Sequence, residues 1–175
     1  MVEHPGFNLK KADQRSIVRL RVRPDDADTA GKAMQLPQQA SQWLDGNPAI
    51  HWLGPDQWLL TSESESAEDI LSTIDSALSG QLYAATDMSS GLVCLSLSGS
   101  AARTVLAMGC GIDMHPDSFT VGQCVRTRFA QVPVLMVATG DLEFNLYVDR
   151  SYANHLHEWL SCAGEDPITH SHRQM

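Results

Sequence analysis

From residue 17 to residue 22 the order Ile-Val-Arg-Leu-Arg-Val sets basic residues between apolar ones, the period of a half-buried strand. Pro24-Asp25-Asp26 closes that strand and opens a helix through Ala27, Ala30 and Met34, which Gly31 and Pro37 interrupt. No period is legible over residues 35–48. Residues 50–53 and 57–61 read as two strands joined at Gly54-Pro55-Asp56, where proline presets φ at the first corner of a turn. Ser66-Ala67-Glu68-Asp69 has the form of a capping box, and the apolar stripe Ile70, Leu71, Ile74, Ala77 and Leu78 predicts the helix behind it. Gly80 ends that helix.

The same order returns further on. Residues 92–97 are predicted as a strand, Ser98-Gly99-Ser100 as a turn, and Ala102, Val105 and Leu106 as the buried stripe of a short helix that stops at Gly109. After a loop over residues 112–119, residues 125–129 and 132–138 read as strands. Thr139-Gly140-Asp141 turns the chain into a further strand over 143–148. A last helix carries Tyr152, Leu156, Trp159, Leu160 and Ala163 on one face. Trp52 and Trp58 are assigned to the packing of the first hairpin. Gly54 to Leu60 corresponds to Gly140 to Leu146, so each half reads as strand, helix, two strands, helix. A unit of that kind lays two helices on one face of a sheet. The expected fold is therefore α+β, a two-layer sandwich in two similar halves, about 15–80 and 87–164, within a single domain over 15–164. Residues 1–14 are expected to form a flexible arm, and 165–175 a flexible tail.

Charge narrows the partners. Twelve Lys and Arg against twenty-one Asp and Glu leave a formal charge of −9, which repels phosphate backbones and anionic headgroups, so neither nucleic acid nor membrane is expected. The longest apolar run, residues 132–138, is far short of a bilayer span. The N-terminus shows no basic stretch followed by an apolar one, and the chain reads as cytoplasmic. Cys94, Cys110, Cys124 and Cys162 contain no Cys-x-x-Cys pair, so thiol-ligated metal is not indicated; Cys94 and Cys110 sit in apolar segments as small core residues.

Few residues suggest chemistry. Gly109-Cys110-Gly111 lacks the third glycine of a dinucleotide loop and ends a helix instead of starting one. His155 and His157 differ by two on a helix and point apart, one at the edge of the core and one exposed; His170 and His172 fall in the tail. Asp113, His115 and Asp117 set two carboxylates beside an imidazole, yet no nucleophile accompanies them, and Ser118 has no assignable base. Two readings stand for this loop. Its polar groups cap its own turns, or it meets a partner, with Phe119 as an apolar anchor and Asp113, His115 and Arg126 around it. No catalytic, cofactor-binding or metal-ligating residue is assigned.

Several segments in order resemble one family: Asp87-Met88-Ser89-Ser90-Gly91-Leu92-Val93, Leu97 through Cys110, Ile112 through Phe119, Gly122 through Thr127, and Gly54-Pro55-Asp56-Gln57-Trp58-Leu59-Leu60. The chain resembles the gamma subunits of heterotetrameric sarcosine oxidase, with Ser100 and Met114 standing where Pro and Leu are expected. The resemblance implies the fold of the folate-binding domain of glycine-cleavage aminomethyltransferases. It implies a subunit, not catalytic alone, of a complex that oxidatively demethylates sarcosine to glycine with tetrahydrofolate as one-carbon acceptor. It further implies that FAD, FMN, NAD and tetrahydrofolate are held by the larger catalytic subunits, its partners, with no cofactor in this chain. The folate-binding relatives carry a glycine-rich turn and an acidic residue near residues 129–135; Ala130-Gln131-Val132-Pro133-Val134-Leu135 has neither. The alternative is a stand-alone folate-binding module, which that missing carboxylate disfavours.

Overall fold

The computed structural model describes residues 2–4, 6–12 and 15–165. In chain order the strands and helices are β1 (Val2–His4), β2 (Phe7–Lys11), β3 (Ser16–Val22), α1 (Ala27–Met34), β4 (Trp43–Leu44), β5 (Ala49–Gly54), β6 (Gln57–Ser62), α2 (Ala67–Ala77) and β7 (Tyr83–Asp87). There follow β8 (Leu92–Ser98), α3 (Ala102–Gly109), β9 (Cys124–Phe129), β10 (Val132–Gly140), β11 (Glu143–Asp149) and α4 (Ala153–Glu165). Single 3-10 turns lead into α1 and α4. The chain divides into two compact units, one of Asp13–Leu92 and one of Met1–Ala12 with Val93–Met175.

In the Asp13–Leu92 unit five strands pair in the order β4-β5-β6-β3-β7. The alternation that predicted β3 sends Val18, Leu20 and Val22 to the side where Ile70 and Ile74 of α2, its C-cap residue Leu78 and Ala30 of α1 arrive, and all are buried. Trp58 is fully buried and donates its indole N–H to the Pro37 carbonyl at 2.9 Å, which satisfies the ring's polar edge. Its cross-strand partner is Trp52, as the hairpin assignment requires. The capping box of α2 forms: Ser66 Oγ accepts from the Asp69 N–H at 3.1 Å, and the Asp69 carboxylate accepts back from Ser66 N–H. α1 runs through Gly31 and stops at Gln35, in the left-handed region at φ 54°, before Pro37.

The other unit pairs six strands in the order β1-β2-β8-β11-β10-β9. Val105 and Leu106 of α3 and Leu156 and Leu160 of α4 pack into one core with Leu95, Leu97, Phe129, Val134, Met136 and Leu146 from the strands. The two sheets are built alike. β9-β10-β11-β8-β2 runs in the same spatial order as β4-β5-β6-β3-β7. The hairpins share a detail: the register slips by one residue between Trp52 and Gly54, and again between Ala138 and Gly140, with Gly54 facing Gln57 and Gly140 facing Glu143.

Several expectations need correction. Residues 7–11 are no flexible arm: β2 pairs antiparallel with β8, and Phe7 and Leu9 are at most 1% exposed. The turn that delivers this strand approaches so closely that a Cβ at Gly99 (φ 115°) would lie 2.4 Å from the Gly6 carbonyl oxygen. β7 was not predicted, because its half-exposed Tyr-Ala-Ala-Thr-Asp pattern carries little apolar signal. Tyr152 is 44% exposed in the turn before α4, and Ala153 takes the buried place. The half expected over 87–164 therefore needs β2 from the opposite end of the chain. The expected tail lies, from residue 166, outside the described residues, as do His170 and His172. Among the described residues no helix is long and apolar enough to cross a membrane.

Candidate functional site

The loop between α3 and β9, residues 110–123, holds most of the predicted contact residues, and its polar groups are committed to one another. Asp113 accepts the Ser118 hydroxyl at 2.6 Å and the His115 N–H at 2.9 Å. Those bonds, the hydroxyl first, hold its carboxyl below the ordinary range by favouring the charged form. The Asp117 N–H donates to His115 Nδ1 at 3.3 Å, and the Ser118 and Phe119 N–H groups both donate to the His115 carbonyl. Ser118 donates to a carboxylate and not to an imidazole, so Asp113, His115 and Ser118 are not arranged to activate a nucleophile. They make a self-capped turn.

Arg103 of α3, which sequence reasoning passed over, fastens this loop. Its Nη1 donates to the carbonyls of Met114 at 2.8 Å and Phe119 at 3.0 Å, and its Nε to the carbonyl of Asp141 in the β10–β11 turn at 2.9 Å. The guanidinium lies 5.0 Å from the centroid of the Phe144 ring. Its only sequence signal is position: it follows Ala102 on the helix stripe, where a surface arginine is ordinary.

Phe119 is not exposed. It is 4% accessible and stacks on Phe144 with centroids 6.3 Å apart, so it fills the core and offers no anchor to a partner. Asp113, His115 and Arg126 are exposed. Arg126 stands on β9, not in the loop.

A second polar cluster lies in the Asp13–Leu92 unit. His51 of β5 is 2% exposed, its Nε2 is 3.0 Å from Thr61 Oγ1, and its ring stacks on Trp43 at 5.6 Å. Burial, and then the nearby Arg15 charge, push its pKa from 6.5 down to about 3, so the ring is neutral. Arg15 itself pairs with Glu63 at 2.5 Å. The same unit has a hollow of about 160 Å³ lined by Met34, Ile50, Leu60 and Ile70; among the described residues Glu65 is the single carboxylate on its wall, which has no imidazole or thiol. Among the described residues no three His, Cys, Asp or Glu side chains converge to hold a metal ion. None of the four cysteines forms a disulfide among the described residues, and Cys94 and Cys124 are buried.

Comparison with known proteins places this arrangement. The sarcosine oxidase subunit gamma of Corynebacterium sp. (strain U-96) is 36% identical over 112 residues, which are 64% of this chain and 54% of that one, so the match spans about half the relative's length. A chain of the heterotetrameric sarcosine oxidase from Corynebacterium sp. U-96, solved in complex with pyrrole 2-carboxylate, superposes with a TM-score of 0.81 at 29% identity, covering 90% of this chain and 83% of that one. The glycine cleavage system aminomethyltransferase T of Bartonella henselae superposes with a TM-score of 0.65 at 14% identity, over 89% of this chain and 45% of that one, a likeness of fold alone. It bears out the expected likeness in fold to aminomethyltransferases at the level of two antiparallel sheets with helices. A family profile described as "Sarcosine oxidase, gamma subunit family" matches residues 25–166. The chain belongs to the sarcosine oxidase gamma subunit family.

Proposed function

We infer that this chain is the gamma subunit of a heterotetrameric sarcosine oxidase, and that it serves the complex by filling a place against the larger subunits and not by catalysis of its own. One observation carries this reading most: the fold follows a chain of such a complex over 90% of its length. The chemistry agrees. The most suggestive cluster, Asp113 with His115, Asp117 and Ser118, spends its hydrogen bonds on its own turn. In this reading sarcosine demethylation, FAD, FMN, NAD and tetrahydrofolate belong to the larger subunits, and this chain contributes surface. Asp113, His115 and Arg126 are part of that surface; Phe119 supports it from beneath. Each unit is one half of a doubled two-layer sandwich, a sheet with its pair of helices. Four cysteines with no disulfide among the described residues suit a reducing cytoplasm.

The test is co-expression of the full chain with the larger subunits of its complex, followed by size-exclusion chromatography. Co-elution in one stoichiometric peak is expected, and separate elution overturns the reading. The fold's likeness to an aminomethyltransferase keeps a stand-alone folate module as the rival. Titration of the purified chain with a reduced folate decides between them, because tight binding would favour the rival. No saturable binding is expected, since residues 130–135 offer no carboxylate for the pterin-borne one-carbon unit.

A further inference from the structure

β9 is the last strand of its sheet, with β10 on one side and, among the described residues, no strand beyond it. Ala130 and Gln131 both have positive φ, 47° and 70°, so the β9–β10 turn is a two-residue hairpin closed by Phe129 and Val132. From that closing pair the ladder alternates. Thr127 and Val125 exchange hydrogen bonds with Val134 and Met136, while Arg126 and Arg128, opposite Leu135 and Pro133, turn their peptide groups outward. Proline's missing N–H fits this phase. The Ala130 N–H donates to the Gly109 carbonyl at 2.9 Å and Cys110 bridges to Phe129, a register that turns the Gly111 N–H toward the Arg128 carbonyl; that end of the edge is closed, and the outward peptide groups of Arg126 are left open.

The side chains sharpen the picture. Arg126 and Arg128 are two apart, so they share one face of the sheet, and both are exposed. On a chain of net charge −9 neither guanidinium reaches a carboxylate among the described residues; Arg128 donates to the Gln131 carbonyl, and Arg126 makes no side-chain hydrogen bond to any described residue. Edge-to-edge pairing with a second copy would bring arginines against arginines, which cross-strand repulsion opposes. An extended segment with carboxylates at alternate positions meets both demands, backbone and charge.

We propose that β9 takes an added strand from a larger subunit, an extended acidic segment whose alternate carboxylates pair with Arg126 and Arg128 while its backbone bonds the outward peptide groups of Arg126. This rests on the subunit reading above. A bare structural role for the two arginines is also physically reasonable, because charge on an edge strand guards against aggregation. The experiment separates the two. The full chain is co-expressed with the larger subunits as wild type, as Arg126→Glu/Arg128→Glu, as Arg126→Ala and as Arg126→Pro, and each isolated chain is melted to check folding. Proline at 126 removes an N–H that the chain's own ladder does not use, so the fold is expected to survive. Charge reversal is expected to weaken association about tenfold or more, and Arg126→Pro is expected to weaken it more than Arg126→Ala. A photo-crosslinking residue at 126 in the assembled complex should capture an acidic stretch of a larger subunit.

Assembly of the wild type with unchanged assembly of the charge-reversed and proline variants overturns the strand-addition proposal and leaves the subunit reading intact. Capture of a second copy of this chain overturns it too. Failure of the wild type itself to assemble overturns both.

Discussion

Gly109 closes α3, and a Cβ built there would lie 2.5 Å from the Phe129 ring, whose edge meets Trp159 with centroids 5.0 Å apart. Gly109→Ala is therefore an overpacking change, expected to cost about 1–3 kcal/mol in chemical denaturation. Phe119→Ala opens a cavity against Phe144, so its expected effect is a loss of about 3–5 kcal/mol of fold stability, read by thermal melting of the isolated chain. The sequence leaves Phe119 open to a role as partner anchor, since an aromatic residue in a polar loop looks the same whether it points in or out. Arg103, reaching three carbonyls, decides that it points in. His51 sets an acid limit. Its folded pKa lies near 3 against an ordinary 6.5, so the unfolded chain binds the extra proton between those values. The stability it gives is complete above about pH 6.5 and is lost as pH falls toward 3. Asp87 and Asp113, held low chiefly by the Ser89 and Ser118 hydroxyls, act only lower, as pH drops through the carboxylate range. Denaturant titrations from pH 7 to 4 should show a slope that His51→Gln flattens; an equal slope in both proteins would remove His51 as its source.

Local signals and packing agree best in α2. Its cap, its stripe and its buried residues Ile70 and Ile74 were all legible because an amphipathic helix writes its period directly into the chain. Ser66→Ala removes the cap and is expected to cost about 1 kcal/mol, with hydrogen exchange rising first in the helix's opening turn. β3, β6, β8, β10 and β11 were legible for the same reason, as alternating or continuous apolar runs. β7 and β4 were not. Both stand at the end of the β4-β5-β6-β3-β7 order, and a strand paired on one side alone needs little apolar surface.

At the scale of the molecule, the notable feature is the exchange of the first strand. In the Asp13–Leu92 unit the place beside β3 is filled by β7, which follows α2 in the chain; in the other unit the corresponding place beside β8 is filled by β2, from the opposite end. Deletion of residues 1–12 removes Phe7 and Leu9 from that core and bares the edge of β8. The expected loss exceeds that of one large core truncation, about 3–5 kcal/mol. Hydrogen exchange should place it in β8 and α4 before β3 and α2, and uniform loss across both units would contradict the assignment.

Residue order alone determined the helices, most strands, the doubling at Gly54 and Gly140, and the family, because these are written in short-range periods, caps and turn residues. Tertiary structure alone decided that Phe7 and Leu9 are core, that Phe119 is buried while Arg126 is not, and that His51 is neutral. Burial and the partners of a side chain depend on segments far away in the chain, and strand pairing across more than eighty residues leaves no local period to read.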